Sequence, residues 1–301
     1  MVNPHSISLW LTPTHLYVAL VSESGQLHTH HHSPILGNLV INDLLNALLR
    51  HAQACLDIAN AQALPVIGIG VSATGQTDAE KGSFTQAPLP HIALQDFPLR
   101  DALEARLNLP VRLNPTIHSM ARCEARLGVG EQYRSFFYVI VDDDVSGALW
   151  LDGQLWQGVR GNAGNIGYLV ADWLGEKPIT LAQRASSSGI IAQYVMRSRK
   201  FDKPTLADLF AYSRQDDQLA MRVLRDGGRL VGAILSPIVA VYEPQAVVVG
   251  GRLAHDPLWW QSFMVAYRQG IAPLSAYVPL LPAWAGDHAP LIGGGLSAFE
   301  T

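Results

Sequence analysis

Residues 136–168 read FFYVIVDDDVSGALWLDGQLWQGVRGNAGNIGY, and no other stretch restricts the possible folds as much. Phe136 to Val141 is a continuous run of β-branched and aromatic residues, the pattern of a strand buried on both faces. The run breaks at Asp142, Asp143 and Asp144 and resumes from Ala148 to Leu151. It then turns at Asp152-Gly153, a pair suited to a tight hairpin because both central residues accept positive φ. A third short strand and the small-residue loop Gly161-Asn162-Ala163-Gly164-Asn165 follow. The same succession of strand, turn, strand, turn, strand occupies Ser6 to Leu11, Leu16 to Val21 and Gln26 to His31, about 130 residues earlier. Thr12-Pro13-Thr14 and Ser22-Glu23-Ser24-Gly25 supply its turns. Two such units predict a duplicated lobe.

Between and after these units, helices and strands alternate. Asn42 or Asp43 is expected to cap a helix that puts Leu44, Leu45, Leu48, Leu49, Ala52 and Leu56 on one face. Val66 to Val71 reads as a buried strand ending in the turn Ser72-Ala73-Thr74-Gly75. Helices are expected from Pro98 to Leu107 and from Ile117 to Leu127, on either side of a strand at Val111 to Leu113. Further on, Thr180 to Arg197 reads as one helix, Pro204 as the first residue of another, and Asp216 to Val241 as a long helix kinked at Gly227-Gly228 and Pro237. Ala246 to Val249 runs as a strand into Gly250-Gly251, Trp259 to Tyr267 is helical, Pro279 to Trp284 is a strand, and Leu291 to Phe299 is a final helix. This order predicts an α/β protein of two lobes with mixed sheets and an interlobe cleft.

With 301 residues, 49% of them hydrophobic and 15% charged, the chain can bury two substantial cores. Its formal net charge of −4 gives no general electrostatic reason to bind nucleic acid. Cys55 and Cys123 lie in apolar helical patterns and fit neither a disulfide framework nor a metal spacing, which suits a reducing cytoplasm. No secretory leader and no apolar run of about 18 residues is present, so neither export nor a membrane span is expected.

Six segments, in order and at characteristic spacing, resemble the ROK family of sugar kinases and repressors within the actin-like (ribonuclease H-like) ATPase superfamily. They are GIGVSATGQTDAEKG at 68–82, PLRDALEARLNLPV at 98–111, ARCEARLGVG at 121–130, LDGQLWQGVRGNAGNIGY at 151–168, EPQAVVVGGRL at 243–253 and LIGGGLSAF at 291–299. The resemblance covers nearly the whole chain. It implies a two-lobed actin-like fold, with residues 1–116 plus 289–301 in the first lobe and 117–288 in the second.

The resemblance also shows what has been replaced. The first phosphate turn of the kinases is an acidic residue and two glycines; here it is Trp10-Leu11-Thr12-Pro13, and proline has no amide hydrogen to offer. The second, rich in glycine and threonine in the kinases, is Asp142-Asp143-Asp144-Val145-Ser146-Gly147. Adjacent carboxylates repel a triphosphate by roughly 1 kcal/mol per close pair even in high dielectric. Such carboxylates could hold Mg²⁺, but a solvated turn is the favoured reading. The catalytic aspartate of the kinases falls on Thr116, preceded by Asn114-Pro115, and a threonine hydroxyl is no general base at neutral pH. His118 could act as a base, although a polar residue on the first helical turn is favoured. The sugar-binding and zinc segment becomes Asn165-Ile166-Gly167-Tyr168 with no cysteine after it, so the structural zinc is not supported.

The scaffold therefore looks kept and the chemistry lost. The resemblance to the repressor branch implies a catalytically degenerate effector domain that binds a sugar or sugar derivative in the cleft. Ser72, Thr74, Asn114, Thr116, Asn162, Asn165 and Tyr168 are its candidate ligand contacts. No catalytic residue, cofactor or metal is expected. The helix-turn-helix of the repressors would precede the first strand, which here begins at about Ser6, so this chain alone is expected not to bind nucleic acid. A cytoplasmic homodimer or higher homo-oligomer is expected. A divergent sugar kinase using Asp78, His118 or a central aspartate is the alternative, and a protein-interaction module with no small ligand is the third reading. The histidines 28, 30, 31 and 32 fit an exposed strand edge better than a metal site, and Trp259-Trp260 fits core packing at a helix start.

Overall fold

The computed structural model describes residues 3–35, 40–78, 80–86, 94–198, 203–274, 277–284 and 286–300. In chain order these form strands β1 His5–Leu11, β2 His15–Ser22 and β3 Leu27–Pro34, helix α1 Ile41–Ala61, then β4 Val66–Ala73, β5 Gln76–Asp78, β6 Ser83–Gln86, α2 Leu99–Leu107, β7 Val111–Pro115 and α3 Thr116–Leu127. They continue with β8 Phe136–Val141, β9 Val145–Leu151, β10 Gln154–Trp156, β11 Val170–Leu174, β12 Lys177–Thr180, α4 Leu181–Ala185, α5 Ser187–Ser198, α6 Leu206–Arg214 and α7 Gln218–Tyr242. β13 Ala246–Gly250, α8 Pro257–Ile271, β14 Leu280–Pro282 and α9 Ala289–Leu296 complete the order.

Contacts divide the chain into two compact units, Met1–Arg134 with Gly153–Ala163 and Trp284–Thr301, and Ser135–Asp152 with Gly164–Ala283. Helix α3, expected in the second lobe, belongs to the first unit. Its Ser119 carbonyl lies so close to α9 that a Cβ on Gly293 would come within 1.6 Å of it. Only a glycine permits that approach.

In the first unit the strands run β3-β2-β1-β4-β7. β1 pairs antiparallel with β2 and β2 with β3, while β4 and β7 continue in parallel. Period-2 alternation sorts β1. Ile7, Leu9 and Leu11 enter the main core with Leu44, Leu48 and Ala52 of α1. Ser6 and Ser8 point to the other face, where α9 lies: Ser6 Oγ donates to Gly295 O at 2.8 Å. A Cβ on Gly294 would stand 2.7 Å from Ser8 Oγ. Small residues on the strands and three consecutive glycines on the helix allow the two backbones to pack this closely.

In the second unit β9, β8, β13 and β14 lie side by side, β9 antiparallel to β8 and the others parallel. The antiparallel-then-parallel order thus recurs, as the repeated sequence pattern predicts. Val139, Val141, Val247 and Val249 join Leu224, Val231, Trp259 and Phe263 in one core.

Several local expectations are corrected. The helix expected from Thr180 is two, α4 and α5, separated at Ser186; Thr180 is the cap, accepting from Gln183 N at 3.3 Å. Thr205, not Pro204, opens α6, and accepts from Asp208 N at 3.2 Å. Asp43 lies in the first turn of α1, not at its cap, and accepts from Val40 N at 3.4 Å. Helix α7 runs through Gly227-Gly228 and Pro237 as one 25-residue element. Its glycines serve packing: a Cβ on Gly228 would meet Trp259 O at 2.2 Å, and one on Gly232 would meet Phe263 O at 2.3 Å.

Candidate functional site

The candidate residues fall into two groups, one in each unit. In the first unit, β4 carries Ser72 near its end with Thr74 just after it, β7 ends at Asn114-Pro115, and α3 begins with Thr116. The loop Gly158–Ala163 belongs to the same unit.

Several of these side chains are committed to the scaffold. Ser72 is fully buried, 2.5 Å from Ser119 Oγ and donating to Pro290 O at 3.1 Å. Asn114 Oδ1 accepts from Arg122 Nη1 at 2.9 Å, and its Nδ2 donates to Ser297 Oγ at 2.9 Å. Buried Arg122 also donates to Glu300 Oε1 at 2.8 Å, so its charge is paired. Asn162 holds both polar groups of one residue's backbone: its Oδ1 accepts from Thr77 N at 2.8 Å and its Nδ2 donates to Thr77 O at 2.6 Å. With their polar atoms occupied, Ser72, Asn114 and Asn162 shape the region.

Thr74 and Thr116 differ. Thr74 is exposed at the end of β4. Thr116 Oγ1 is shut off from solvent and has no hydrogen-bond partner among the described residues. A buried hydroxyl without a partner costs on the order of 1–3 kcal/mol. Nearby in sequence, His118 places Nε2 at 2.9 Å from Ala163 O. A carbonyl only accepts, so Nε2 carries the proton. Burial above all, with the Arg122 charge adding to it and the bond to Ala163 opposing both, brings the His118 imidazole down to about 4. His118 is therefore neutral at pH 7, its Nε2–H spent on a carbonyl, an arrangement that serves the fold. Next to Ala163, residues Gly158, Val159, Arg160 and Asn162 line a cavity of about 340 Å³.

In the second unit, Asn165 and Tyr168 sit in a loop fixed by glycine. Gly147 N donates to Gly164 O at 2.8 Å. A Cβ on Gly164 (φ +90°) would stand 2.1 Å from Gly147 O, and one on Gly167 would stand 2.1 Å from Val145 O. Asn165 is half-buried with its side chain uncommitted among the described residues, and Tyr168 is 52% exposed.

The acidic turn is solvent-facing at Asp143 and Asp144, as expected, and Asp142 is held by an arginine. Asp142 Oδ1 accepts from Arg252 Nε at 2.7 Å, and Oδ2 accepts from Arg252 N at 3.0 Å. Arg252 Nη2 also reaches Asp143 Oδ1 at 2.5 Å. The backbone of Asp142 is held too: its N–H donates to Asp144 O at 2.9 Å and its carbonyl accepts from Ser187 N at 2.7 Å. Hydrogen bonding to Asp142 raises the Arg252 guanidinium above its usual range. Gly251, at φ +96°, lets the chain approach: a Cβ there would lie 2.3 Å from Val141 O. Sequence reasoning missed Arg252. Its only signal is a cation directly after Gly250-Gly251.

No group of three or more His, Cys, Asp or Glu able to hold a metal ion occurs among the described residues. Asp78 is engaged locally, 3.5 Å from Lys81 Nζ. Trp259 is fully buried and stacks on Phe263 at 5.1 Å, as core packing requires. No helix among the described residues is long and apolar enough to cross a membrane.

A profile described as the ROK family matches residues 7–298. The DNA-binding transcriptional dual regulator NagC of Escherichia coli (strain K12) is 24% identical over 263 residues, which are 83% of this chain and 64% of NagC. The chain thus spans less than two thirds of that relative's length. A glucokinase of Halalkalibacterium halodurans is 26% identical over 250 residues, 76% of this chain and 75% of the glucokinase. The crystal structure of a ROK hexokinase from Thermus thermophilus superposes with a TM-score of 0.87 at 24% identity, covering 98% of each chain. Repressors and kinases both stand among these relatives.

Proposed function

Since the chain belongs to the ROK family, we propose that within it this protein is a catalytically degenerate, sugar-sensing regulatory domain. It binds a sugar or sugar derivative, transfers no phosphate, and works as a cytoplasmic homo-oligomer. The observation that carries this reading is Arg252 lying on Asp142 and Asp143. The kinases resembling this chain need a phosphate-cradling turn there. In this protein the turn is lined by carboxylates, two of which bind Arg252, and the N–H groups of Asp142, Asp143 and Val145 donate to oxygens of the turn itself. Thr116 at the position of the kinases' catalytic aspartate supports the same reading, because a hydroxyl cannot hold the substrate's proton at pH 7. Thr74 and Asn165 keep side-chain polar groups available for a hydroxylated ligand, and the buried Thr116 hydroxyl lacks a partner among the described residues. The net charge of −4 argues against nucleic-acid contact by this chain alone.

Purified protein is incubated with ATP, Mg²⁺ and a panel of hexoses, pentoses and amino sugars, free and phosphorylated, while ADP release and melting temperature are followed. The expected result is no ADP and a rise in melting temperature with one sugar class, since a ligand specific for the native state stabilises it by mass action. Sustained ADP release that depends on His118 or a central aspartate would replace this reading with a divergent kinase. No ADP and no shift with any sugar would favour an interaction module. Light scattering on the same sample tests the oligomer.

A further inference from the structure

β3 is the edge strand of the first sheet. Alternation puts His31 and Ser33 on one face of it, where α1 presents His51. Ser33 Oγ lies 2.9 Å from His51 Nε2, and His51 Nδ1 lies 3.1 Å from His31 Nε2. All three side chains are half-buried. One proton placement satisfies both contacts in sequence: Ser33 O–H donates to His51 Nε2, and His51 Nδ1–H donates to His31 Nε2. That is the order of nucleophile, base and orienting group. The reverse placement, with both protons shifted towards Ser33, leaves no base, and reactivity towards an activated ester separates the two.

The surroundings favour a reactive hydroxyl. Burial lowers both imidazoles below their usual value; His30 and His32 on the strand add to this at His31, and His31 and Arg50 add to it at His51. His51 is therefore unprotonated and able to accept at neutral pH. As an edge strand, β3 leaves alternate backbone N–H groups facing outward, donors that suit a developing oxyanion.

We propose that Ser33 is a nucleophilic site that takes acyl groups from small activated esters, with His51 as general base and His31 as a positioning residue. Ser33 Oγ bonds to the ester carbonyl carbon as its proton passes to His51 Nε2. The carbon–oxygen bond to the alcohol then breaks, and that oxygen takes the proton back from His51. Ser33 is left esterified. Water deprotonated by His51 attacks the acyl carbon, and the carboxylic acid departs as Ser33 regains its proton. This site is independent of the sugar-binding reading.

The test uses the full chain and 4-nitrophenyl acetate, reading 4-nitrophenolate release and locating the acetyl group by peptide mass spectrometry. The expected result is a single acetyl on Ser33, lost in Ser33→Ala, with the rate falling about 100-fold in His51→Gln. The rate should reach its plateau below the ordinary histidine range as pH rises. His31→Leu should slow acylation and move the midpoint of that curve, whereas His31→Gln, whose carbonyl can accept from His51 Nδ1–H, should restore both. Acetyl carried by lysine, another histidine or another serine overturns the proposal, as does a rate no higher than that of the urea-unfolded chain. The label is located on the wild-type protein, so a misfolded variant leaves the proposal exposed to refutation.

Discussion

The Arg252 guanidinium and backbone N–H both bind the Asp142 carboxylate, Nε at 2.7 Å from one oxygen and N at 3.0 Å from the other. The two side chains are not equivalent. Arg252 is 54% exposed and Asp142 26%. Arg252→Ala is expected to cost no more than about 1 kcal/mol, the range of solvent-screened pairs. Asp142→Ala also deprives the Arg252 N–H of its acceptor and should cost about 2 kcal/mol. Urea unfolding of both variants gives the ranking, and equal losses would mean that the backbone bond contributes nothing. Neither variant should release ADP from ATP, because the remaining carboxylates still repel phosphate.

Acid should weaken the fold through His118. Its folded-state value, about 4, lies below the unfolded value of 6.5. Between these values the unfolded chain binds the proton and the folded chain does not. The stability present above pH 6.5 is therefore lost as pH falls through this window, by about 3 kcal/mol once both forms are protonated. His118→Gln, which can still donate to Ala163 O, should flatten this part of the stability–pH curve. A curve of unchanged slope would remove His118 as its cause.

Gly228 is expected to tolerate no side chain. Its Cβ would be 2.2 Å from Trp259 O, a backbone atom of α8 that moves only with the helix. Gly228→Ala should cost about 1–3 kcal/mol in spite of alanine's higher helix propensity. At Gly286 a Cβ would meet nothing within 4 Å, so alanine there should change stability by no more than about 0.5 kcal/mol. Comparing the two midpoints in denaturant separates close packing from a general glycine effect.

Thr116→Val should separate stability from ligand binding. Removing a buried hydroxyl with no partner should leave stability unchanged or raise it by about 1 kcal/mol. If a sugar raises the melting temperature of the wild type, the shift should shrink in Thr116→Val and in Asn165→Ala, whose side chain binds nothing else among the described residues. Asn162→Ala should instead lower the melting temperature before any sugar is added, because it frees both polar groups of Thr77. Loss of stability in Thr116→Val, with the sugar shift intact, would make Thr116 a purely structural residue.

Strand runs were legible because burial on both faces leaves continuous apolar stretches: Phe136–Val141 and Ala246–Gly250 stand close to where their composition predicts. At Gly227-Gly228 the sequence leaves two physical meanings open, a weak point or a close approach, and the neighbouring helix shows the close approach. Thr180–Arg197 misled because the break at Ser186 leaves the apolar periodicity almost intact. At the candidate site, the sequence located the right segments but could not separate side chains facing a ligand from those facing the scaffold. Asn162 and Asn165 are three residues apart in one loop. One clamps Thr77 and the other binds nothing among the described residues, and no local pattern distinguishes them. Arg252 lies 110 residues from Asp142, and nothing in either segment announces the other.

The first unit is discontinuous, since residues 284–301 complete it after the whole second unit has passed. Arg122, buried on α3, receives the Glu300 carboxylate from that last segment, and Asn114 receives Ser297. During synthesis the second unit therefore has all its strands and helices available first, while Arg122 waits for a partner more than half the chain away. Closing such a long loop slows folding more than it weakens the finished fold. The second unit can therefore be complete in sequence before the first, whose closure around α9 needs the last segment of the chain.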